Sequence, residues 1–353
     1  MGRDELPLWA TAWHKTPLGR VPVASTRLTW RDRMEHVRAR TSAFREHFIV
    51  LPGLYAVGSP DAGSPVVVSA NYKLSFDHLR RNMEDMDAWV LVLDTRGINV
   101  WCAAGKGTFG TAEVVARVRE AGLDQVVTHR RLILPQLAAP GVAAHEVRQG
   151  SGFRVHYGPV RASDLRAYMD AGMKADDEMR RVRFPAMERL ILTPMEIRPA
   201  MRYLPHFALG AFVLLGAEPE GIIFSSAWHQ GGPMVAEAFV SIMAGALVTP
   251  MLLPWLPGRA FGLKGYVAGL ALAALAAWPL GIYAMGTYIA LATLLLFPAL
   301  ASLIAQQFTG STTYTGPSGV KREIKQWTRV YAGSAIGALL LLIAHKLSSW
   351  GVI

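Results

Sequence analysis

The sequence predicts an α/β Rossmann-like domain followed by an all-α membrane domain of five transmembrane helices. Three observations carry that prediction. Of the 353 residues, 52% are hydrophobic and 18% charged, with a mean hydropathy of +0.25. That balance is too apolar for a disordered chain and high for a wholly soluble one. The charges are also unevenly spread: beyond residue 202 the basic residues are Arg259, Lys264, Lys321, Arg322, Lys325, Arg329 and Lys346, and the acidic ones are Glu218, Glu220, Glu237 and Glu323. From Pro65 onward, finally, short β-branched runs alternate with amphipathic stretches, the pattern of a βαβ layer fold.

Residues 1–60 mix Pro, Trp and Arg, offer one helix over Arg31–His47, and read as an N-terminal extension of unassigned role. The opening MGRDELPLWATAWHKTP has no apolar core, so no cleaved signal peptide is expected. In the domain spanning 61–175 the expected strands are Val66–Ser69, Ala88–Leu93, Gln125–Thr128, Arg131–Leu134 and Phe153–His156. The expected helices are Phe76–Met83, Thr111–Ala121 and Ser163–Ala171. Loops that follow strand ends are where such a fold binds its ligand. Residues 176–202 read as a basic linker and 203–353 as the transmembrane domain.

Apolar spans lie at 203–217, 234–256, 263–282, 285–305 and 330–347, several near the roughly 20 residues that cross a 30 Å hydrocarbon core. Lys and Arg are retained on the cytoplasmic side. Arg180 to Arg202 lead in, 218–233 has no Lys or Arg, the next loop has Arg259 and Lys264, the one after has no charge, and the last has Lys321 to Arg329. That alternation places the N-terminal domain in the cytoplasm on a multi-pass inner-membrane protein. Glu237, His206 and His345 are expected near span ends, anchoring to headgroups. The net charge of +10 is explained by the same loops, so no nucleic acid is expected as a partner.

The densest signal is Asn99-Val100-Trp101-Cys102-Ala103-Ala104-Gly105-Lys106-Gly107-Thr108-Phe109-Gly110-Thr111, after the second strand. Cys102 is the chain's single cysteine, which excludes an intramolecular disulfide and a Cys-ligated zinc or iron–sulfur site built from this chain alone. Residues 105–110 match G-x-G-x-x-G, but the acidic residue of a dinucleotide site is missing about 20 positions on. The phosphate loop G-x-x-x-x-G-K-[ST] fails at Val100 and Gly107. Cys102 then reads either as a small buried hydrophobe beside a glycine turn or as a thiol at a strand-to-helix junction, where amides and the helix dipole stabilise a sulfur anion and Lys106 adds positive charge. Ala103, Ala104 and Gly105 leave room for a wide flat ligand.

This N-V-W-C-A-A-G-K stretch, with its G-T-F-G-T continuation, resembles the cap-helix motif of the HgcA family of mercury-methylating corrinoid proteins. More loosely, it resembles the corrinoid domain of the large subunit of the corrinoid iron–sulfur protein. Residues 71–77 (NYKLSFD), 132–137 (LILPQL) and the stretch from Phe308-Thr309-Gly310 to Ser318-Gly319-Val320-Lys321 resemble the same family. The resemblance runs from about residue 60 to the C-terminus and leaves residues 1–55 unplaced.

What the resemblance implies is a cobalamin-type corrinoid bound base-off and Cys-on, with the Cys102 thiolate as lower axial ligand to cobalt. Asn99 and Trp101 would hold the motif, and Tyr72, Thr108, Phe109, Pro135 and Gln136 would be further contacts with Val100 and Ala103 to Lys106. The D-x-H-x-x-G pattern of His-on corrinoid domains is absent. The implied reaction is methyl transfer from cobalt to Hg(II), forming methylmercury. Its implied partners are a methyltetrahydrofolate-dependent donor and an HgcB-like ferredoxin with two 4Fe–4S clusters, since this chain has no further cysteines to carry electrons. The loop 306–329 is the expected docking surface for that ferredoxin or, equally, a contact with the lipid bilayer. The alternatives are a corrinoid methyl carrier in one-carbon metabolism with another acceptor, and a membrane soft-metal sensor or transporter that uses Cys102.

Overall fold

The computed structural model describes residues 5–308 and 317–352, so 309–316 of the expected docking loop lie outside the described residues. Two compact units divide the chain, Met1–Val182 and Arg183–Ile353. The boundary falls within the stretch read as a linker.

In the first unit the strands are β1 (Ala10–Thr16), β2 (Gly19–Ala24), β3 (Gly53–Val57), β4 (Val66–Ala70), β5 (Ala88–Leu93), β6 (Arg131–Leu134) and β7 (Arg154–Tyr157). They form one mixed sheet in the order β1-β2-β3-β5-β4-β6-β7. Strands β4 to β7 are parallel, β3 lies antiparallel on the outer edge of β5, and the β1–β2 hairpin continues beyond it. Residues 10–24 and 53–57, within the stretch read as an extension of unassigned role, therefore build three strands of the same sheet.

Parallel strands need both faces covered, which is why β4 and β5 are buried along their whole length. Val66, Val68, Leu91, Leu93 and Leu134 pack on one face against α4 (Thr111–Glu120) and α6 (Ala144–Ser151). Val67, Val90, Val92 and Ile133 pack on the other against α2 (Lys73–Arg81) and α7 (Leu165–Asp170). The parallel strands thus follow the doubly wound order second-first-third-fourth, and the chain reverses direction across the sheet between β4 and β6.

Strands β5 and β6 begin and end where the sequence places them, and β4 runs one residue further. The strand expected at Gln125–Thr128 is instead the end of a short helix, α5 (Leu123–Val126). The reason is local: Gly122 adopts φ 53°, Val127 N–H bonds to the Leu123 carbonyl at 3.1 Å, and Leu123 and Val126 enter the core three residues apart. The helix read over Arg31–His47 breaks at Ser42 into α1 (Trp30–Thr41) and a 3-10 turn.

The second unit is helical: α8 (Ala186–Gly216), α9 (Phe224–Met251), α10 (Phe261–Ala277), α11 (Thr287–Gln307) and α12 (Pro317–Ser349). Among the described residues three helices are long and apolar enough to cross a membrane: Phe224–Met251, Thr287–Gln307 and Gly319–Ser349. The expectation of five is corrected on two counts. The first expected span, 203–217, is the end of α8, whose earlier turns carry Arg189, Arg198 and Arg202. The third is α10, whose 17 residues rise only about 25 Å. Glu237 is corrected too: it sits mid-way along α9, fully buried, rather than near a span end.

Candidate functional site

The site is built where the parallel strands end. Asn71, directly after β4, holds the loop that leaves β5. Its Oδ1 accepts from Thr95 N–H at 3.1 Å, Thr95 Oγ1 at 2.8 Å and Gly97 N–H at 2.9 Å, while its Nδ2 donates to Asp94 Oδ1 at 3.1 Å. The loop needs holding because Arg96 and Gly97 both adopt positive φ, 57° and 69°. Glu113 of α4 steadies it from the other side, accepting from Asp94 N–H at 2.7 Å.

That loop delivers a short helix, α3 (Val100–Lys106), which carries the cysteine motif. Asn99 is its N-cap, with Oδ1 accepting from Cys102 N–H at 2.9 Å. The helix closes on Gly107 at φ 79°, and Thr108 N–H and Phe109 N–H both bond back to the Ala103 carbonyl at 3.0 and 3.1 Å. Cys102 is therefore the third residue of the helix, in its first turn, where the chain passes from the loop after β5 into α3.

Helical spacing separates the motif into two faces. Ala103 and Ala104 are buried against the sheet, and Val100 packs beside them. Cys102, half-buried, shares the opposite face with exposed Gly105 and Lys106. Ala104 is thus part of the packed core rather than an open surface, and Gly141 lies close against its backbone: a Cβ added to Gly141 would come within 2.9 Å of the Ala104 carbonyl oxygen and 2.4 Å of the Phe109 carbonyl oxygen. The low surface beside the sulfur is Gly105.

The helix packs against the turn Gln136–Ala138 that follows β6 and against the end of β4. Pro135 leads into that turn, and Gln136 N–H bonds to the Pro159 carbonyl at 3.4 Å. Gln136 Oε1 is buried and has no hydrogen-bond partner among the described residues. Of the sequence-predicted residues, Asn99, Trp101, Cys102, Gly105, Lys106, Pro135 and Gln136 therefore gather at the carboxyl edge of the sheet, beside the β4–β6 reversal where doubly wound sheets bind ligands. Phe109 is fully buried in the core beneath α3, and Thr108 is half-buried behind it. The ring of Tyr72 packs with Ala39 and Phe48 in a separate cluster, and burial pushes its hydroxyl pKa up against the pull of Arg45 and Arg40.

Sequence reasoning assigned no role to Asn71, Glu113 or Gly141. It also missed a buried ion cluster next to the site that joins α1 to α2. Lys73 Nζ lies 2.9 Å from Asp32 Oδ1 and 2.7 Å from Asp77 Oδ2; Arg80 lies 2.7 Å from Asp77 and 3.0 Å from Asp32; His36 Nε2 is 2.8 Å from Asp77 Oδ2. Burial alone would raise both carboxyl pKa values. The bonds to Lys73 and Thr29 hold Asp32 below its usual range, and those to His36, Lys73 and Arg80 do so for Asp77. Among the described residues no group of three His, Cys, Asp or Glu is placed to hold a metal ion.

Residues 44–169 match the CO dehydrogenase/acetyl-CoA synthase delta subunit family. The chain is 34% identical over 128 residues to the acetyl-CoA decarbonylase/synthase complex subunit gamma of Methanopyrus kandleri, covering 36% of this chain and 27% of that one. It is 33% identical over 121 residues to the same subunit of Methanothermobacter thermautotrophicus, covering 34% and 26%, and 37% identical over 92 residues to that of Methanocaldococcus jannaschii, covering 26% and 19%. The chain spans 19–27% of the length of these relatives. The family match starts earlier than the resemblance seen in the sequence, near residue 44 rather than 60, and the helical unit lies outside it.

Proposed function

We propose that this chain is a corrinoid-dependent methyl carrier that methylates Hg(II), with the Cys102 sulfur as the group that would hold the cobalt. The observation that carries this reading is the placing of the one thiol: half-buried, on the outward face of a capped helix, at the carboxyl ends of parallel strands. The residues fit a flat, amide-rimmed macrocycle. Sulfur is a soft donor, Gly105 beside it adds no bulk, and Gln136 Oε1 is a buried acceptor with no hydrogen-bond partner among the described residues.

When bound, the corrinoid would supply a cobalt able to carry a methyl group to a soft electrophile, and Cys102 would be the residue that holds it through sulfur. The chain's own residues position that sulfur. Asn99 caps the helix and engages Cys102 N–H, and Asn71 and Glu113 fix the loop from which the helix starts. Lys106, one turn beyond Cys102, places a positive charge on the same face. Ala103, Ala104 and Phe109 seal the underside against water. The proposed partners are a methyltetrahydrofolate-dependent donor and a ferredoxin-type reductant that docks on Lys321, Arg322, Lys325 and Arg329, with the carrier unit facing the cytoplasm.

The matches to acetyl-CoA decarbonylase/synthase gamma subunits favour a second reading, a methyl carrier in one-carbon metabolism with another acceptor. The test begins with the purified protein: cobalt analysis and a visible spectrum are expected to show a corrinoid. A colourless protein that cannot be loaded with cob(III)alamin would remove both readings. Cys102→Ala, in a deletion strain complemented with this gene, is expected to abolish methylmercury formation. A loaded wild-type protein that forms none would leave the second reading.

A further inference from the structure

The helical unit carries a group that the proposed methyl transfer does not use. Glu237 sits mid-way along α9 with no exposed surface, and neither carboxylate oxygen has a hydrogen-bond partner among the described residues. Ser241, one turn on and therefore on the same face, is 1% exposed, and its Oγ also lacks a partner. Two π-helical turns, Ala227–Gly231 and Ala244–Val248, bracket this segment of α9. Such turns are rare and recur at functional sites.

An ionised carboxylate sealed in an apolar bundle costs far more than such a unit can absorb unless a positive charge joins it. Among the described residues no protein group does so. On α10 the Lys264 ammonium donates to the Leu253 and Leu256 carbonyls, both at 2.6 Å. On α12 Lys346 bonds to the Leu215 carbonyl and Glu218, His345 to Gln230, and Tyr331 to Ser302 and Gln306. On α8 His206 meets the Arg202 carbonyl. Arg189, Arg198, Arg202, Glu188, Glu196 and Tyr203 on that helix, Tyr266 on α10, Tyr288 on α11, and Glu323 with the basic residues of the first turns of α12 make no hydrogen bond or ion pair with Glu237.

We propose that Glu237 and Ser241 form a cation site inside the helical unit, occupied by a proton or by a dehydrated monovalent metal ion such as Na⁺. Both sources meet the same need, a positive charge on an all-oxygen donor set, and oxygen donors suit hard cations. The site goes beyond the methyl carrier and does not depend on it.

The test is modification of the full-length protein in membrane vesicles by dicyclohexylcarbodiimide, an apolar reagent that adds a protonated carboxyl across its N=C=N group. The adduct on Glu237 is read by peptide mass spectrometry. If a proton is the occupant, the adduct yield falls by about tenfold per pH unit above its midpoint. If the occupant is Na⁺, excess NaCl at fixed pH suppresses the adduct by about tenfold and choline chloride does not. Ser241→Ala is expected to move the midpoint or the protecting salt concentration by about threefold or more, and Glu237→Gln to remove the adduct at that position. The proposal is overturned if Glu237 stays unmodified at every pH in the folded protein while reacting after unfolding in detergent. It is also overturned if its modification ignores both pH and Na⁺. A colourless protein unable to load cobalt would leave this result standing.

Discussion

Two places of buried charge, one in each unit, are built in opposite ways. In the first, Asp32, Lys73, Asp77 and Arg80 are all nearly inaccessible, and each one touches at least one opposite charge within 3.0 Å. In the second, Glu237 is as deeply buried and touches none. The contrast recurs on a smaller scale at the sheet edge, where the Asn71 Oδ1 takes three donors and the Gln136 Oε1 takes none. Buried polar atoms are as a rule hydrogen-bonded, so the Gln136 and Glu237 oxygens stand out against the partnered groups of the scaffold.

The buried ion cluster is most vulnerable at Arg80. Arg80→Leu leaves Asp32 and Asp77 with one guanidinium fewer, and removing one member of a buried ion group costs about 3–5 kcal/mol. Chemical denaturation of the full chain should show that loss in the transition of the first unit. A loss below about 1 kcal/mol would mean that the cluster is dispensable.

Acid probes the same cluster. Both carboxyl pKa values are depressed in the folded state, so their contribution is fully present above the ordinary aspartate value of 3.8 and is lost as pH falls below it. The melting temperature of the first unit should therefore drop between about pH 4 and pH 2, and Asp77→Asn should flatten that drop.

A smaller effect is expected at Asn71. Asn71→Ala removes the acceptor for Thr95 and Gly97, at about 1–3 kcal/mol. It should also loosen the loop ahead of α3, read as faster amide exchange over residues 94–102.

The smallest and sharpest effect is at Gln136. Gln136→Leu removes an unsatisfied atom, so stability should stay level or rise by up to about 1 kcal/mol, while cob(III)alamin loading weakens. Equal loading by the two proteins would assign Gln136 to packing alone.

Much of the parallel sheet was legible because β5 and β6 are short apolar runs bounded by polar turns, a pattern that needs no tertiary information. The β1–β2 hairpin was not. Its strands are half exposed, so ATAWHKT and GRVPVA mix polar and apolar residues with little contrast. At the site, Cys102 could be read because it is the single cysteine of the sequence, and Asn99 because it belongs to the motif that carries the resemblance; the N-cap bond between them is a finding of the structure. The facing of Ala103 and Ala104 into the sheet depends on the phase of a seven-residue helix, too short to show a period. Gly141 and Asn71 matter through approaches to residues more than twenty positions away, which no local pattern records.

The position of β3 has a consequence for handling the protein. It lies along β5, whose six residues AWVLVL are all buried, and separates that strand from solvent on its outer side. A fragment starting at residue 61, trimmed to the parallel strands for easier expression, would bare a flat row of unpaired amides and carbonyls on the stickiest segment of the sheet. It would be expected to clump strand to strand rather than stay dispersed.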